Sequence, residues 1–173
     1  MNRLIVEMIA NDIQPFSMVE DIVFRNVISY ACPNYEMPHR TYFNEKEMPK
    51  LYAEVVNNLK RKLNTNNDNS ATMSITTDVW TEKHTRRAFL GITCHWIDEN
   101  FNRQWAVLSL LHITGSHTGN MIVELCKNVL SEFGILEKID CVVRDGGTKV
   151  VAGFHNAAMP SIRVRLSPLR NLI

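Results

Sequence analysis

The sequence predicts a protein of the α+β or α/β class, in which a helical module precedes a domain with the element order β-β-β-α-β. Apolar residues recur with helical spacing up to residue 63, and strand-like alternation begins at residue 73. Between them lies a short polar segment rich in asparagine. We therefore expect a helical module over 1–63, a linker over 64–72 and a second domain over 73–173.

Two short helices are predicted at the start of the module. Leu4, Ile5, Met8 and Ile9 form one apolar stripe, and Pro15 ends this helix because proline lacks a backbone N–H group. The spacing of Ser17 and Glu20 is that of a capping box, which predicts that a second helix begins there.

A longer amphipathic helix is predicted over 42–63, with Pro49 near its start. Lys60, Arg61 and Lys62 enrich its last turn, where cations suit the negative end of the helix dipole. The same three residues, with Arg40, are the candidate nucleic-acid contacts of this module. A solvated helix end is the alternative interpretation.

The second domain begins with three predicted strands, over 73–79, 88–97 and 103–113. Asp98, Glu99 and Asn100 are typical turn residues, so the last two strands should form an antiparallel hairpin. A helix is predicted over 119–133, capped by Thr118 and ended by Gly134. A fourth strand over 139–143 follows it.

Two acidic residues lie at the ends of strands that we expect to be parallel neighbours: Asp78 within or at the end of the first strand, and Asp145 just past the end of the fourth. The helix carries the chain back across the sheet, so the fourth strand can lie parallel to the first. Asp78 and Asp145 would then converge at one edge of the sheet. Paired carboxylates of this kind hold the divalent metals used in phosphoryl transfer. The alternative is that both are ordinary residues at strand ends.

Charge and composition exclude several other classes. The formal net charge of +1 excludes an indiscriminate binder of nucleic acid, although the segment 144–173 is locally basic. No apolar run approaches the roughly 18 residues of a membrane helix, and the N-terminus does not resemble a signal peptide. The four cysteines show no metal-binding spacing, so no zinc site is expected. The sequence contains no phosphate-binding loop motif, and we expect no small-molecule substrate. We expect an intracellular, reducing environment and no membrane association.

Several ordered motifs resemble those of one known family. The first is the set Gln14-Pro15-Phe16, Val19-Glu20, Phe24, Pro33, Tyr35, Pro38 and Arg40. Further along stand TTDVWT (76–81), ITCHWID (92–98), HTG (117–119) and an FGI segment that begins at Phe133. In this order the motifs are similar to those of hAT-superfamily transposases and of BED-type zinc-finger proteins derived from them.

The resemblance implies an RNase H-like fold, a nuclear location and cleavage of DNA by a triad of two Asp and one Glu that holds Mg²⁺ or Mn²⁺. Asp78 matches the first acid of the triad and Asp145 the second. Trp80 matches a family aromatic that could contact DNA, with hairpin packing as the alternative role.

The sequence departs from the family pattern in ways that argue against catalysis. The family's Asp-Asn-Ala-x-Asn motif is replaced by Asp145 followed by Gly146, Gly147, Thr148 and Lys149. Near the C-terminus, only Asn171 and Leu172 remain of a further motif, and the third acid has no counterpart up to residue 173. The RNase H-like domain is therefore expected to be incomplete and inactive, with no cofactor; residual activity would require Mg²⁺ or Mn²⁺.

Three functions stay open. The first is a non-catalytic remnant of a transposase that binds DNA, a protein partner or itself in the nucleus. The second is metal-dependent transposase or nuclease chemistry at Asp78 and Asp145, with the third acid supplied by another chain. The third is a gene fragment without a function, which would lack a cooperative thermal transition.

Overall fold

The computed structural model describes residues 1–64, 72–114 and 118–144, and the backbone alone of residues 161–163. The chain divides into two compact units, Met1–Lys62 and Leu63–Ile173. The division falls within the last turn of a helix that extends to Asn64. Most of the predicted linker, residues 65–71, lies outside the described residues.

The first unit is helical. Its helices, with short 3-10 and π-helical turns at Phe16–Glu20 and Phe43–Glu47, are α1 (Asn2–Asn11), α2 (Ile22–Ala31), α3 (Arg40–Tyr42) and α4 (Met48–Asn64). Its core consists of the buried side chains of Ile5, Val6, Ile9, Val19, Phe43 and Leu51. Burial of each large aliphatic side chain contributes about 1.5–3 kcal/mol, so these contacts hold the short helices together.

Two details of the first unit differ from the expectations. Ser17 does not cap a helix: it lies inside a 3-10 turn whose Val19 is buried, and α2 begins only at Ile22. The second difference is in α4: the helical spacing predicts Tyr52 and Val55 on its apolar face, but both side chains are exposed. In both places the packing of the core overrides the local pattern.

The second unit contains a mixed sheet with the strand order β3-β2-β1-β4-β5. The strands are β1 (Met73–Thr81), β2 (Ala88–Ile97), β3 (Arg103–Ile113), β4 (Ile139–Arg144) and β5 (Ser161–Arg163). β1, β2 and β3 are antiparallel neighbours, whereas β4 runs parallel to β1, as predicted. β5 adds a three-residue parallel strand beside β4 that the sequence analysis does not predict.

One helix, α5 (Gly119–Glu132), connects β3 with β4. The Thr118 hydroxyl accepts a hydrogen bond from the backbone N–H of Met121, so the predicted cap is confirmed. Gly134 adopts a φ of 69°, a left-handed conformation that suits glycine after a helix. The Asn64 side chain donates a 2.8 Å hydrogen bond to the Phe133 carbonyl and so satisfies one group at the end of α5.

The two faces of the sheet differ in burial. Alternate residues of β1 and β2, among them Ile75, Leu90 and Ile92, are buried together with the apolar side of α5. The residues between them are half-buried or exposed, and we call their side of the sheet the open face. In β1, β2 and β3 the open face consists of Ser74, Thr76, Asp78, Trp80, Phe89, Gly91, Thr93, His95, Ile97, Arg103, Trp105, Val107, Leu110 and His112.

Candidate functional site

Asp78 lies on the open face of β1. Thr77 before it is buried and follows the buried positions Met73 and Ile75, so the alternation of the strand turns Asp78 to the opposite side. The carboxylate is therefore exposed to solvent. A ligand can approach it without a rearrangement of the core.

A shallow pocket of about 320 Å³ surrounds Asp78. Gly91 lies opposite Asp78 in the β1–β2 register, and Leu110 lies opposite Gly91 on β3. The complete lining, apart from the acid itself, consists of hydroxyl, apolar and glycine residues: Thr76, Trp80, Gly91, Thr93, Val107, Ser109 and Leu110. Asp78 is the one carboxylate among the described residues that line this pocket.

Trp80 forms one wall of the pocket and lies close over Gly91. A Cβ atom at Gly91 would stand 3.3 Å from Cζ3 of the indole, which is tighter than an ordinary contact. The indole also stacks on Phe89, with ring centroids 5.8 Å apart, and Phe89 contacts His112 at 5.5 Å. Three strands thus contribute to one aromatic row beside Asp78, and 41% of Trp80 remains exposed.

The predicted convergence of Asp78 with Asp145 stays a prediction. The parallel register of β1 and β4 ends with Thr77 opposite Arg144, and Arg144 is buried. Asp145 is the next residue in the chain and lies outside the described residues. The backbone therefore brings β4 to the position beside Asp78, but the geometry between the two carboxylates is not described.

Within the described ranges, no group of three His, Cys, Asp or Glu side chains is arranged to hold a metal ion. Cys94 and His95 point to opposite faces of β2: the thiol is buried, whereas the imidazole lies 3.2 Å from the Thr76 hydroxyl on the open face. Burial raises the pKa of Cys94 to about 11 and that of Cys126 to about 12. Both thiols are therefore protonated at neutral pH, which does not favour metal binding.

The four basic residues proposed for the helical module do not form one patch. Arg40 begins α3 and lies 3.8 Å from the Glu20 carboxylate, which reduces its net charge contribution. Lys60, Arg61 and Lys62 lie near the end of α4, and Arg61 hydrogen-bonds to Asn58. Lys60 follows Arg40 by twenty positions in the consecutive helical segments from Arg40 to Asn64, which corresponds to about 30 Å along the helix axis.

A second exposed aromatic residue of the open face, Trp105, was not predicted as a functional residue from the sequence. It lies opposite His95, which in turn lies opposite Ser74. The sequence contained one signal for it, because Trp105 is an aromatic residue within the predicted strand 103–113. However, a bulge in the β2–β3 pairing decides to which face Trp105 points.

Comparisons of the sequence with known proteins identify a family and several relatives. The family model described as the ZBED1 RNase-like domain matches residues 76–167. Human zinc finger BED domain-containing protein 4 is 33% identical over 94 residues, which cover 54% of this chain and 8% of that protein. Mouse zinc finger BED domain-containing protein 6 is 27% identical over 146 residues, 78% of this chain and 14% of that protein.

A plant protein extends the similarity to transposases. The putative AC transposase of Zea mays is 25% identical over 142 residues, which cover 82% of this chain and 17% of that protein. The chain thus spans less than a fifth of the length of each of these relatives. Within the described part of the chain, no helix is both long and apolar enough to cross a membrane.

The family model matches more than half of the chain, and the observed elements are consistent with an α+β RNase-like fold. The chain belongs to the ZBED1 RNase-like domain family and is related to zinc finger BED proteins and hAT-type AC transposases.

Proposed function

We propose that this chain is a nucleic-acid-binding module of transposase origin that acts in the nucleus and does not cleave DNA by itself. One observation carries the proposal: Asp78 stands on an exposed sheet face lined by aromatic and hydroxyl groups, and none of the other described residues that line its pocket is a carboxylate.

The chemistry of the open face supports binding of nucleic acid. Exposed aromatic rings on a sheet provide flat surfaces on which bases stack, and hydroxyl groups can donate hydrogen bonds to phosphate oxygens. Trp80 presents such a ring, held in place by Gly91 and Phe89. The relationship to proteins named as transposases and as zinc finger BED proteins is consistent with this assignment.

Two features argue against cleavage. Metal-dependent cleavage of a phosphodiester bond requires several carboxylates that hold one or two divalent ions. The pocket at Asp78 has no second carboxylate among its described lining residues. In addition, Gly146 and Lys149 stand at the two positions where the family motif has amides.

The proposal is tested by fluorescence anisotropy with labelled single-stranded and duplex DNA at about 50 and 200 mM salt. We expect measurable binding that weakens with salt, as phosphate contacts require. In parallel, wild-type protein and Asp78→Ala are incubated with nicked DNA and Mn²⁺. Absence of binding to every DNA, or cleavage that Asp78→Ala abolishes, would overturn the proposal.

A second candidate function, metal-dependent cleavage, is favoured by one observation. β4 runs parallel to β1 and ends directly before Asp145, with Arg144 opposite Thr77. Titration calorimetry with Mn²⁺ distinguishes the two functions. A catalytic site predicts metal binding that both Asp78→Asn and Asp145→Asn remove, whereas a binding module predicts no such heat.

A further inference from the structure

The open face carries a second exposed aromatic residue, Trp105 on β3. It lies level with the start of β1, whereas Asp78 and Trp80 lie toward the end of β1. Trp105 is 68% exposed, compared with 41% for Trp80. It lies in a row with His95 and Ser74, which extends across β3, β2 and β1. An exposed indole on a sheet face gains contact area only when a ligand covers it.

A low trough separates the two aromatic positions. Ser74, in the same row as Trp105, precedes Trp80 by six residues on β1, which corresponds to about 20 Å along the strand. Two rows lie between them, Thr76–Thr93–Val107 and Asp78–Gly91–Leu110. The threonines and the glycine leave the surface low over β1 and β2 beside the Asp78 carboxylate, whereas Val107 and Leu110 stand exposed on β3. A flexible polymer can therefore lie along the face between Trp105 and Trp80.

The charges near Trp105 match a nucleotide. Arg103 precedes Trp105 by two residues on the same face, about 7 Å away along the strand. Both line a cleft of about 620 Å³, together with His95, Ser74, Gln104 and Asp140. A nucleotide presents a flat base and an anionic phosphate, which correspond to the indole and the guanidinium. The Asp140 carboxylate offsets part of this charge, so stacking rather than charge should dominate.

We propose that Trp105 is a stacking position for one unpaired base of a single-stranded nucleic acid, with Arg103 as the contact to its phosphate. The ligand is single-stranded because the bases of a duplex do not expose the ring face that Trp105 requires. This inference rests on the proposed function and adds to it the class of ligand and a second contact residue.

The experiment measures binding of a labelled eight-nucleotide oligo(dT) to the full chain by anisotropy, in a cycle that combines protein and DNA changes. Trp105→Leu should weaken binding by about fivefold to a hundredfold, the usual loss for one stacked base. A set of oligonucleotides is then prepared, each with one abasic site at a different position. One of them should lack the base that stacks on Trp105, and wild type and Trp105→Leu should bind that oligonucleotide with equal affinity. Arg103→Gln should weaken binding and reduce the salt dependence by about one phosphate contact.

Two control variants separate this role from a structural one. Trp105→Phe keeps an aromatic ring and should retain most of the affinity. Tyr30→Leu removes an even more exposed aromatic side chain from the helical unit and should leave binding unchanged. Equal binding by wild type and Trp105→Leu, or an equal loss with every abasic oligonucleotide, overturns the inference while the proposed function stands. If wild type binds no DNA at all, both fail.

Discussion

Trp80 lies so close over Gly91 that a Cβ atom at Gly91 would stand 3.3 Å from Cζ3 of the indole. The two residues belong to adjacent antiparallel strands, and Gly91 also lies opposite Asp78. The absence of a side chain at Gly91 therefore lets the indole lie flat beside the acid. Glycine weakens a strand interior, so its presence here indicates a close approach of another group.

Substitution of Gly91 should move Trp80 without unfolding the protein. In Gly91→Ala, the indole must shift by a few tenths of an ångström, which should change the near-UV circular dichroism of the protein. The free energy of unfolding should change by less than about 1 kcal/mol, because alanine loses less backbone entropy than glycine on folding. In a Trp80→Leu background the same substitution should leave the near-UV spectrum unaltered. A persistent spectral change there would contradict the assignment to Trp80.

The two faces of the sheet should differ sharply in their tolerance of substitution. Leu130 on α5 is fully buried, whereas Leu110 on the open face of β3 is 59% exposed. Leu130→Ala should lower the free energy of unfolding by about 2–5 kcal/mol through cavity formation. The matched change Leu110→Ala should stay within about 0.5 kcal/mol of wild type. Urea denaturation measures both, and comparable losses would show that the open face is covered in solution.

The hydroxyl of Thr118 should contribute to stability through its cap of α5. It accepts a 3.3 Å hydrogen bond from the Met121 N–H group, which otherwise has no partner within the helix. Thr118→Ala should therefore cost about 1 kcal/mol in urea denaturation. Thr118→Ser keeps the oxygen and should retain most of the stability. If serine and alanine had the same effect, the cap would not be the cause.

Alkaline pH should destabilise the second unit through two buried thiols. Burial raises the pKa of Cys94 to about 11 and that of Cys126 to about 12, above the unfolded value near 8.5. Above about pH 9 the unfolded chain releases these protons and the folded chain retains them, so stability falls as pH rises. Each thiol contributes a slope of at most about 1.4 kcal/mol per pH unit.

A double variant tests this pH dependence. Cys94→Ala combined with Cys126→Ala should flatten the loss of stability between about pH 9 and pH 11, as measured by urea denaturation at each pH. Val123→Ala on α5 also creates a cavity but removes no titrating group, so it should lower stability at every pH with an unchanged slope. A slope that persists in the double variant would assign it to other groups.

Local signals predicted the strands and α5 well. The predicted bounds of β2 and β3 agree with the structure because both segments are rich in apolar residues and Asp98 organises the turn between them. The Asp98 carboxylate accepts hydrogen bonds from the backbone N–H groups of Asn100 and Asn102, which lowers its pKa. Such a turn depends on neighbours in sequence alone. β5 was not predicted because three residues carry no periodicity, and its pairing with β4 depends on distant contacts.

The sequence by itself determined the order of the elements, the antiparallel hairpin, the parallel return of β4 and the family. Only the tertiary structure decided the composition of the open face. Strict alternation would place Trp105 and Val107 on the same side as Leu111 and Ile113. The bulge that shifts the β2–β3 register between Ile92 and Thr93 reverses this parity, so Trp105 and Val107 lie on the open face. A bulge adds one residue to one strand, so the pairing of β3 with β2, rather than the alternation within β3, decides which side chains share a face.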